Sequence, residues 1–416
     1  MKDALQPEIV EVCAASWPIV PLGEVCRIEL GKTPARGTKS NWDEDKSTGN
    51  VWLSIADMPT SLHAEATESR EHVSETAARE MRLVPEGTLL VSFKLTLGRL
   101  CYAGRDLFTN EAIAAILDLD EPRVLKPFLY WYLTYFDWDA AAAGDHKIKG
   151  KTLNKAKLKA LPIPLPPLDE QKRIVGVLDQ AFAALDRARA HAEANIADAD
   201  ALFESGLDRL LENHSEVGVR THLGNICRFE NGDRGKNYPG RKAFVPEGVP
   251  FINAGHLEDG EIIWEAMNFI PEEHYKRLSK GKVKEGDLLF CLRGSLGKFG
   301  KVDRAGLGAI ASSLVIVRTG DDILTDYLGM YFKSKSCREM IEKFAGGAAQ
   351  PNLSAGDLKR FDIVLPDLDH QTLAVETHDL LWDSTKDLQA NYKRKLMEFA
   401  ALRQSILQRA FSGELS

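Results

Sequence analysis

The chain repeats itself at an interval of about 200 residues, and no other feature limits its fold as much. Leu22, Gly23, Val25, Cys26, Arg27 and Gly31 recur as Leu223, Gly224, Ile226, Cys227, Arg228 and Gly232. Val84, Glu86, Gly87, Leu89, Leu90 and Gly98 recur as Val283, Glu285, Gly286, Leu288, Leu289 and Gly297. The longest match sets Leu153, Leu158, Lys159, Ile163, Leu165, Pro166, Leu168, Asp169 and Gln171 against Leu353, Leu358, Lys359, Ile363, Leu365, Pro366, Leu368, Asp369 and Gln371. Three blocks in the same order at nearly one offset are a tandem duplication rather than chance likeness between apolar segments. At ~150 residues per domain, 416 residues hold two or three domains.

Each repeat has two parts. The first is rich in Gly, Pro, aromatic and β-branched residues, and Val51–Ile55, Thr88–Phe93, Leu288–Leu292 and Leu314–Val317 read as strands. The second begins after a proline stop, at Pro162 to Pro167 in the first copy and Pro366 in the second, since proline can precede a helix but not continue one. From Asp169 to Glu212 there is no proline. Ile174, Leu178, Ala181, Leu185, Ala188 and Ala192 alternate spacings of 4 and 3, and Ile196, Ala199, Phe203, Leu207 and Leu210 continue after a one-residue shift. That is a coiled-coil seam with a stutter. In the second copy the expected seam is Leu373, Leu380, Leu388, Tyr392, Leu396, Phe399, Ile406 and Ala410. A lone helix of this length would expose its seam, so two in one chain are expected to pack on each other.

Composition excludes several classes. The chain is 44% apolar and 27% charged, which is globular rather than disordered. Its net charge is −8, so any basic surface is local. The six cysteines show no CxxC pair, which argues against a zinc ribbon; we read them as reduced thiols of a cytoplasmic protein. The opening residues lack a signal-peptide core, and no stretch approaches the ~20 apolar residues of a membrane span.

Catalytic patterns are wanting as well. Gly31-Lys32-Thr33 and Gly150-Lys151-Thr152 lack the earlier glycine of a phosphate loop, because Cys26 and Asp145 stand there. The only Pro-Pro pair, Pro166-Pro167, precedes Leu168 and is no adenine-methylation motif. Glu170-Gln171-Lys172 and Asp357-Leu358-Lys359 lack an acidic partner for a metal nuclease, and neither HExxH nor GxSxG occurs. The expectation is a chain with no catalytic residues and no metal site of its own.

Binding residues are easier to nominate. Lys147, Lys149 and Lys151 lie in a run without acidic residues from His146 through Pro167, which reads equally well as a solvated face or as phosphate contact. The matching stretch of the second copy carries Gln350, Pro351 and Asn352 instead. Lys32, Arg36, Lys39, Asn41 and Trp42 form a loop mixing charge with an aromatic, and Arg234, Lys236, Tyr238 and Arg241 repeat the idea. Lys94 and Arg99 in the first copy, and Arg293 and Lys298 in the second, surround glycines where backbone can approach a ligand. Recurrence in both copies favours a binding surface used twice.

These blocks resemble the specificity subunit of Type I restriction–modification systems. The resemblance rests on LGEVCRIELGKTP from Leu22, VPEGTLLVSFKLTLGR from Val84, PIPLPPLDEQKRI from Pro162 and AFSGEL from Ala410, and spans nearly the whole chain. The second copy departs modestly, with His370 in IVLPDLDHQ where the family usually has Glu. The resemblance implies an α+β fold: a duplicated mixed α/β target-recognition domain plus a long helix, the two helices packed as an antiparallel coiled coil that holds the recognition domains apart. The expected division is residues 1–168 and 216–368 for recognition, with spacer helices over 169–215 and 369–416. Each recognition domain would read one half of a split, asymmetric site on double-stranded DNA. Two methyltransferase subunits would dock on the helices, and restriction/translocase subunits would join them. S-adenosylmethionine, ATP and magnesium would belong to those partners, with no cofactor on this chain. A coiled-coil scaffold binding only proteins, a specificity module of another modification system, and a nuclease with an unrecognised site are the alternatives.

Overall fold

The computed structural model describes residues 17–142, 146–147, 150–151, 153–235, 238–346 and 352–415. The chain forms two compact units, Met1–His191 with Lys395–Ser416, and Ala192–Arg394. Each long helix gives one part to each unit.

In the first unit the strands are β1 (Ile19–Pro21), β2 (Arg27–Leu30), β3 (Val51–Leu53), β4 (Glu65–Ala66), β5 (Glu71–His72), β6 (Leu89–Ser92), β7 (Leu100–Ala103), β8 (Phe108–Thr109), β9 (Ile113–Leu117), β10 (His146–Lys147), β11 (Gly150–Lys151) and β12 (Pro162–Pro164). The main sheet has the order β2-β9-β6-β7-β4, and β5-β3-β8 form a second. Strand β6 is buried throughout because the main sheet is covered on both faces. Leu89 and Val91 join a core with the helix Lys126–Tyr135, whereas Leu90 packs with Cys101, Ala103 and Ala115 on the other face. An unbroken apolar run is the signature of such a two-sided strand.

The second unit repeats this plan with β13 (Val219–His222), β14 (Cys227–Asn231), β15 (Val249–Ile252), β16 (Leu257–Glu258), β17 (Glu261–Ile262), β18 (Asn268–Ile270), β19 (Leu288–Cys291), β20 (Phe299–Lys301), β21 (Ala309–Ile310), β22 (Leu314–Thr319) and β23 (Asp362–Leu365). Its sheets run β14-β22-β19-β20 and β18-β15-β21, with a β16-β17 ribbon beside them. Leu288 and Phe290 face one core, Leu289 and Cys291 the other.

The long helices span Leu168–Asn213 and Leu368–Phe411. Each opens on a buried glutamine that clamps the globular part to the helix. Gln171 accepts from the Leu125 N–H at 2.8 Å and donates to the Arg123 and Pro166 carbonyls. Gln371 accepts from the Leu324 N–H and donates to the Asp322 and Pro366 carbonyls in the same way. This duty explains why the proline-rich block survives in both repeats.

Within each unit the helices run antiparallel. In the first, Arg403 lies over the Phe182 ring and pairs with Asp186, while Arg173 donates to the Leu415 carbonyl. In the second, Gln389 donates to Asp200, and Phe203 packs on His378 and Trp382. The central seam matches its expected residues: Ile174, Leu178, Leu185, Ala192, Ala199, Phe203 and Leu207 are buried. The C-terminal seam matches only in its second half, where Ala410 is buried and Tyr392, Leu396, Phe399 and Ile406 are half-buried. Leu373, Leu380 and Leu388 are 62%, 71% and 41% exposed. Gln371, Ala374, His378, Thr385 and Gln389 take the inward positions instead. Gln371 bonds backbone of the globular part, Gln389 reaches Asp200 and Thr385 donates to the Leu381 carbonyl, so their burial is tolerated, whereas His378 meets Asp379 through Nδ1 and its buried Nε2 has no partner among the described residues. Off these seams, Phe182 and Leu381 pack inward, whereas Val177, Leu202 and Leu402 are exposed.

Candidate nucleic-acid interface

Strand register brings the nominated segments together in each unit. In the first, Leu30 at the end of β2 faces Ala114 at the start of β9; Ala114 faces Val91 near the end of β6, and Val91 faces Leu100 at the start of β7. The loop after β2, the turn before β9 and both arms of the β6–β7 hairpin therefore meet at one end of the sheet. The Leu153 N–H donates to the Phe93 carbonyl and adds the segment after the β10–β11 hairpin to that end. The second unit matches it step for step. Asn231, Val315, Phe290 and Phe299 align across β14, β22, β19 and β20, and the Leu353 N–H donates to the Leu292 carbonyl.

Glycine permits the first turn of this surface in both copies. A Cβ on Gly31 would lie 2.1 Å from the Thr109 carbonyl oxygen, and one on Gly232 2.6 Å from the Ala311 oxygen. Only a residue without a side chain lets the loop cross the neighbouring turn so closely.

The side chains gathered here differ in how they are held. In the first unit, the Arg36 guanidinium lies 4.5 Å from the Trp42 ring centre and 4.8 Å from that of Trp52, and pairs with Glu71. The two indoles meet edge to face at 5.1 Å. Arg36, Lys39, Trp42, Arg70, Glu71 and His72, with Asp43 and Glu44, line an open cleft of about 440 Å³. Lys32 reaches Glu80 at 3.2 Å, and Asn41 donates to the Ala35 carbonyl. Arg99 turns inward and donates to the Ile55 and Met58 carbonyls, so its position is fixed by the fold. Lys94 lies 5.2 Å from the Phe93 ring centre. Lys147 and Lys151 belong to the β10–β11 pair, and Lys149 lies outside the described residues.

In the second unit, Arg293 and Lys298 are exposed around the β19–β20 turn, and Arg293 forms a backbone bridge with Asn352. Arg234 donates to the Ser312 carbonyl in the turn before β22. Tyr238 packs edge-on to Phe251, the counterpart of Trp52 on β15. Arg241 sits in a short 3-10 turn; Lys236 and Gln350 lie outside the described residues. Sequence reasoning missed Trp52, Arg70, Glu71 and His72, because only the fold brings β3 and β5 beneath the loop after β2.

Beneath the two surfaces the matching groups shift the same way but through different partners. Burial pushes the Glu230 carboxyl up, but the Arg318 guanidinium and the Gly281 N–H outweigh it and hold the group below its ordinary value. Arg318 also binds Asp287, at 2.8 Å, and the Lys282 carbonyl. Glu29, at the matching position, is likewise lowered against burial, by Lys155, Arg82 and Arg27. The matching thiols Cys26 and Cys227 are pushed up to about 12 by burial, which keeps them protonated and unreactive at neutral pH. Among the described residues, no group of three or more His, Cys, Asp or Glu side chains is placed to hold a metal ion, and no helix is long and apolar enough to cross a membrane.

A family model for the Type I restriction modification DNA specificity domain matches residues 15–193 and again residues 220–396. The chain belongs to this family. It carries the specificity domain twice, and each copy contains one of the two sheet ends just described. The chain is similar to the Type I restriction enzyme MjaIX specificity subunit of Methanocaldococcus jannaschii, 22% identical over 96% of this chain and 93% of the relative. It is also similar to the EcoBI specificity subunit of Escherichia coli, 24% identical over 80% of this chain and 76% of the relative. Two solved chains share the fold. One, from work on complex assembly and conformational transition of the type I R-M system, matches with TM-score 0.73 at 17% identity, over 96% of this chain and 98% of that one. The other is the HsdS subunit from Thermoanaerobacter tengcongensis, with TM-score 0.59 at 18% identity over 96% and 97%.

Proposed function

We propose that this chain is the sequence-reading subunit of a Type I restriction–modification complex, non-catalytic by itself. Each recognition domain reads one half of a two-part, asymmetric site on double-stranded DNA through its own sheet end. The observation that carries this is the convergence of the same four segments, laden with Lys, Arg, Asn and aromatic side chains, at matching sheet ends of both repeats. Phosphate contacts from the lysines would hold the duplex, and arginines and amides would reach base edges.

Two methyltransferase subunits dock on the long helices, and restriction/translocase subunits complete the assembly in the cytoplasm. Exposed Leu373, Leu380, Leu202 and Leu402 support this docking, since helix faces with large bare apolar side chains gain from a protein cover. S-adenosylmethionine, ATP and magnesium serve the partners' chemistry. Co-expression with the cognate methyltransferase tests the reading: a complex with two methyltransferases per chain should methylate adenines in one two-part motif. A sole role as protein scaffold would give the complex without sequence-selective methylation.

A further inference from the structure

We propose that Arg36 is a base-reading side chain of the first recognition domain, and that the base it reads is guanine. The inference rests on the functional reading above, that this sheet end meets DNA.

Among the described cations that the first sheet end gathers, Arg36 alone combines a planar fork, a rigid platform and an open edge. Arg99 is spent on two backbone carbonyls of its own domain. Lys32 and Lys94 carry point charges without a fork. Arg36 lies against the faces of Trp42 and Trp52, which removes much of the rotamer freedom a long side chain loses on binding. Glu71 holds its Nη1. The side chain remains 55% exposed, and among the described residues Nη1 is the guanidinium nitrogen with a hydrogen-bond partner.

A guanidinium has five N–H donors in a fixed plane. With one edge tied to a carboxylate and its face on a ring, the free edge offers two parallel N–H groups. Guanine presents two acceptors, N7 and O6, at matching spacing in the major groove, and no other base presents two acceptors there. Adenine puts a donor next to N7, which an arginine cannot satisfy. Trp42, Trp52 and Glu71 are thus positioning residues for Arg36. Trp52 is itself anchored, donating its indole N–H to the Lys32 carbonyl at 3.0 Å.

The test uses the complex of this chain with its methyltransferase. Methylated adenines are mapped for the wild type, Arg36→Lys and Arg36→Ala. Each variant should accept any base at one guanine position of the half-site read by the first domain, with discrimination there falling about 10- to 100-fold. The other half-site stays as it was. Lysine should not rescue, because the fork and not the charge is read. A second measurement avoids any question of folding: 7-deazaguanine at that position removes N7 from the DNA. It should weaken binding of the wild-type complex about tenfold or more and leave Arg36→Ala binding unchanged. An unchanged motif in both variants, or uniformly weaker binding to all sequences with the motif intact, overturns the assignment of Arg36. If the wild-type complex itself yields no two-part motif, the functional reading falls and the inference falls with it.

Discussion

The two recognition domains share a skeleton and differ at its working end. In both, the order of four main-sheet strands, the two-sided central strand, the close glycine crossing and the buried glutamine clamp recur. At the sheet end the first domain seats an arginine on two tryptophans above Glu71, whereas the second has Tyr238 on Phe251 and Arg234 tied to a backbone carbonyl. The lesson is a division of labour. Backbone contacts, met by Gly, Gln and Pro, are what the duplication kept. The side chains projecting past the sheet are free to diverge, and each copy can read different bases.

The largest effects are expected at the glutamine clamp that the copies share. Gln171→Leu and Gln371→Leu should each destabilise their domain by about 3 kcal/mol, because three backbone groups lose their partner at a buried site. Urea unfolding should show nearly equal losses; a large difference between them would mean the clamps are not equivalent.

The glycine crossings come next. Gly31→Ala should cost about 2 kcal/mol and Gly232→Ala about 1 kcal/mol, since the first Cβ meets backbone oxygen at 2.1 Å and the second at 2.6 Å. Thermal unfolding of the two variants checks the order.

A smaller effect separates the ion pairs of the two matching carboxylates. Glu230 and Glu29 both have folded values below the ordinary one, so each stabilises above the unfolded value and loses that stability as pH falls through the folded value. The loss should be greater for the second domain, where Arg318 is 26% exposed, than for the first, where Arg82 and Lys155 are 53% and 40% exposed. Amide exchange in β22 and β9 from neutral pH to below pH 4.5 reports both at once, and Arg318→Met should diminish the Glu230 contribution, leaving the part owed to the Gly281 N–H.

The smallest expected effect concerns phosphate binding. Lys147, Lys149 and Lys151 changed together to Ala should flatten the salt dependence of DNA binding by up to ~0.9 for each phosphate no longer neutralised. Asn352→Ala, in the matching segment of the second domain, should leave the slope alone. An unchanged slope in the triple variant would make the lysine run a solvated face.

Much of this architecture is legible in the sequence because its signals are local or periodic. The duplication, the two helices and the two-sided strands show in spacing and apolar runs. The C-terminal seam misleads because Leu373, Leu380 and Leu388 carry the greater hydrophobicity, yet Gln389 and Thr385 find hydrogen bonds inside and the leucines stay outside. The Arg36 platform is half visible. Trp42 lies six residues on in the same loop, but Trp52 and Glu71 arrive only through the pairing of β3 with β5. Arg99 looks like its equal by composition and differs only in what the folded chain gives it to bind.

Each sheet end is expected to read its own half of the site. Mapping methylated adenines for two variants of the complex tests it most directly, one carrying Lys32→Ala, Arg36→Ala and Lys94→Ala, the other Arg234→Ala, Arg293→Ala and Lys298→Ala. Each set should alter the motif in one half only, a different half for each. A change in both halves from either set, or altered bases in neither while methylation persists, would contradict it.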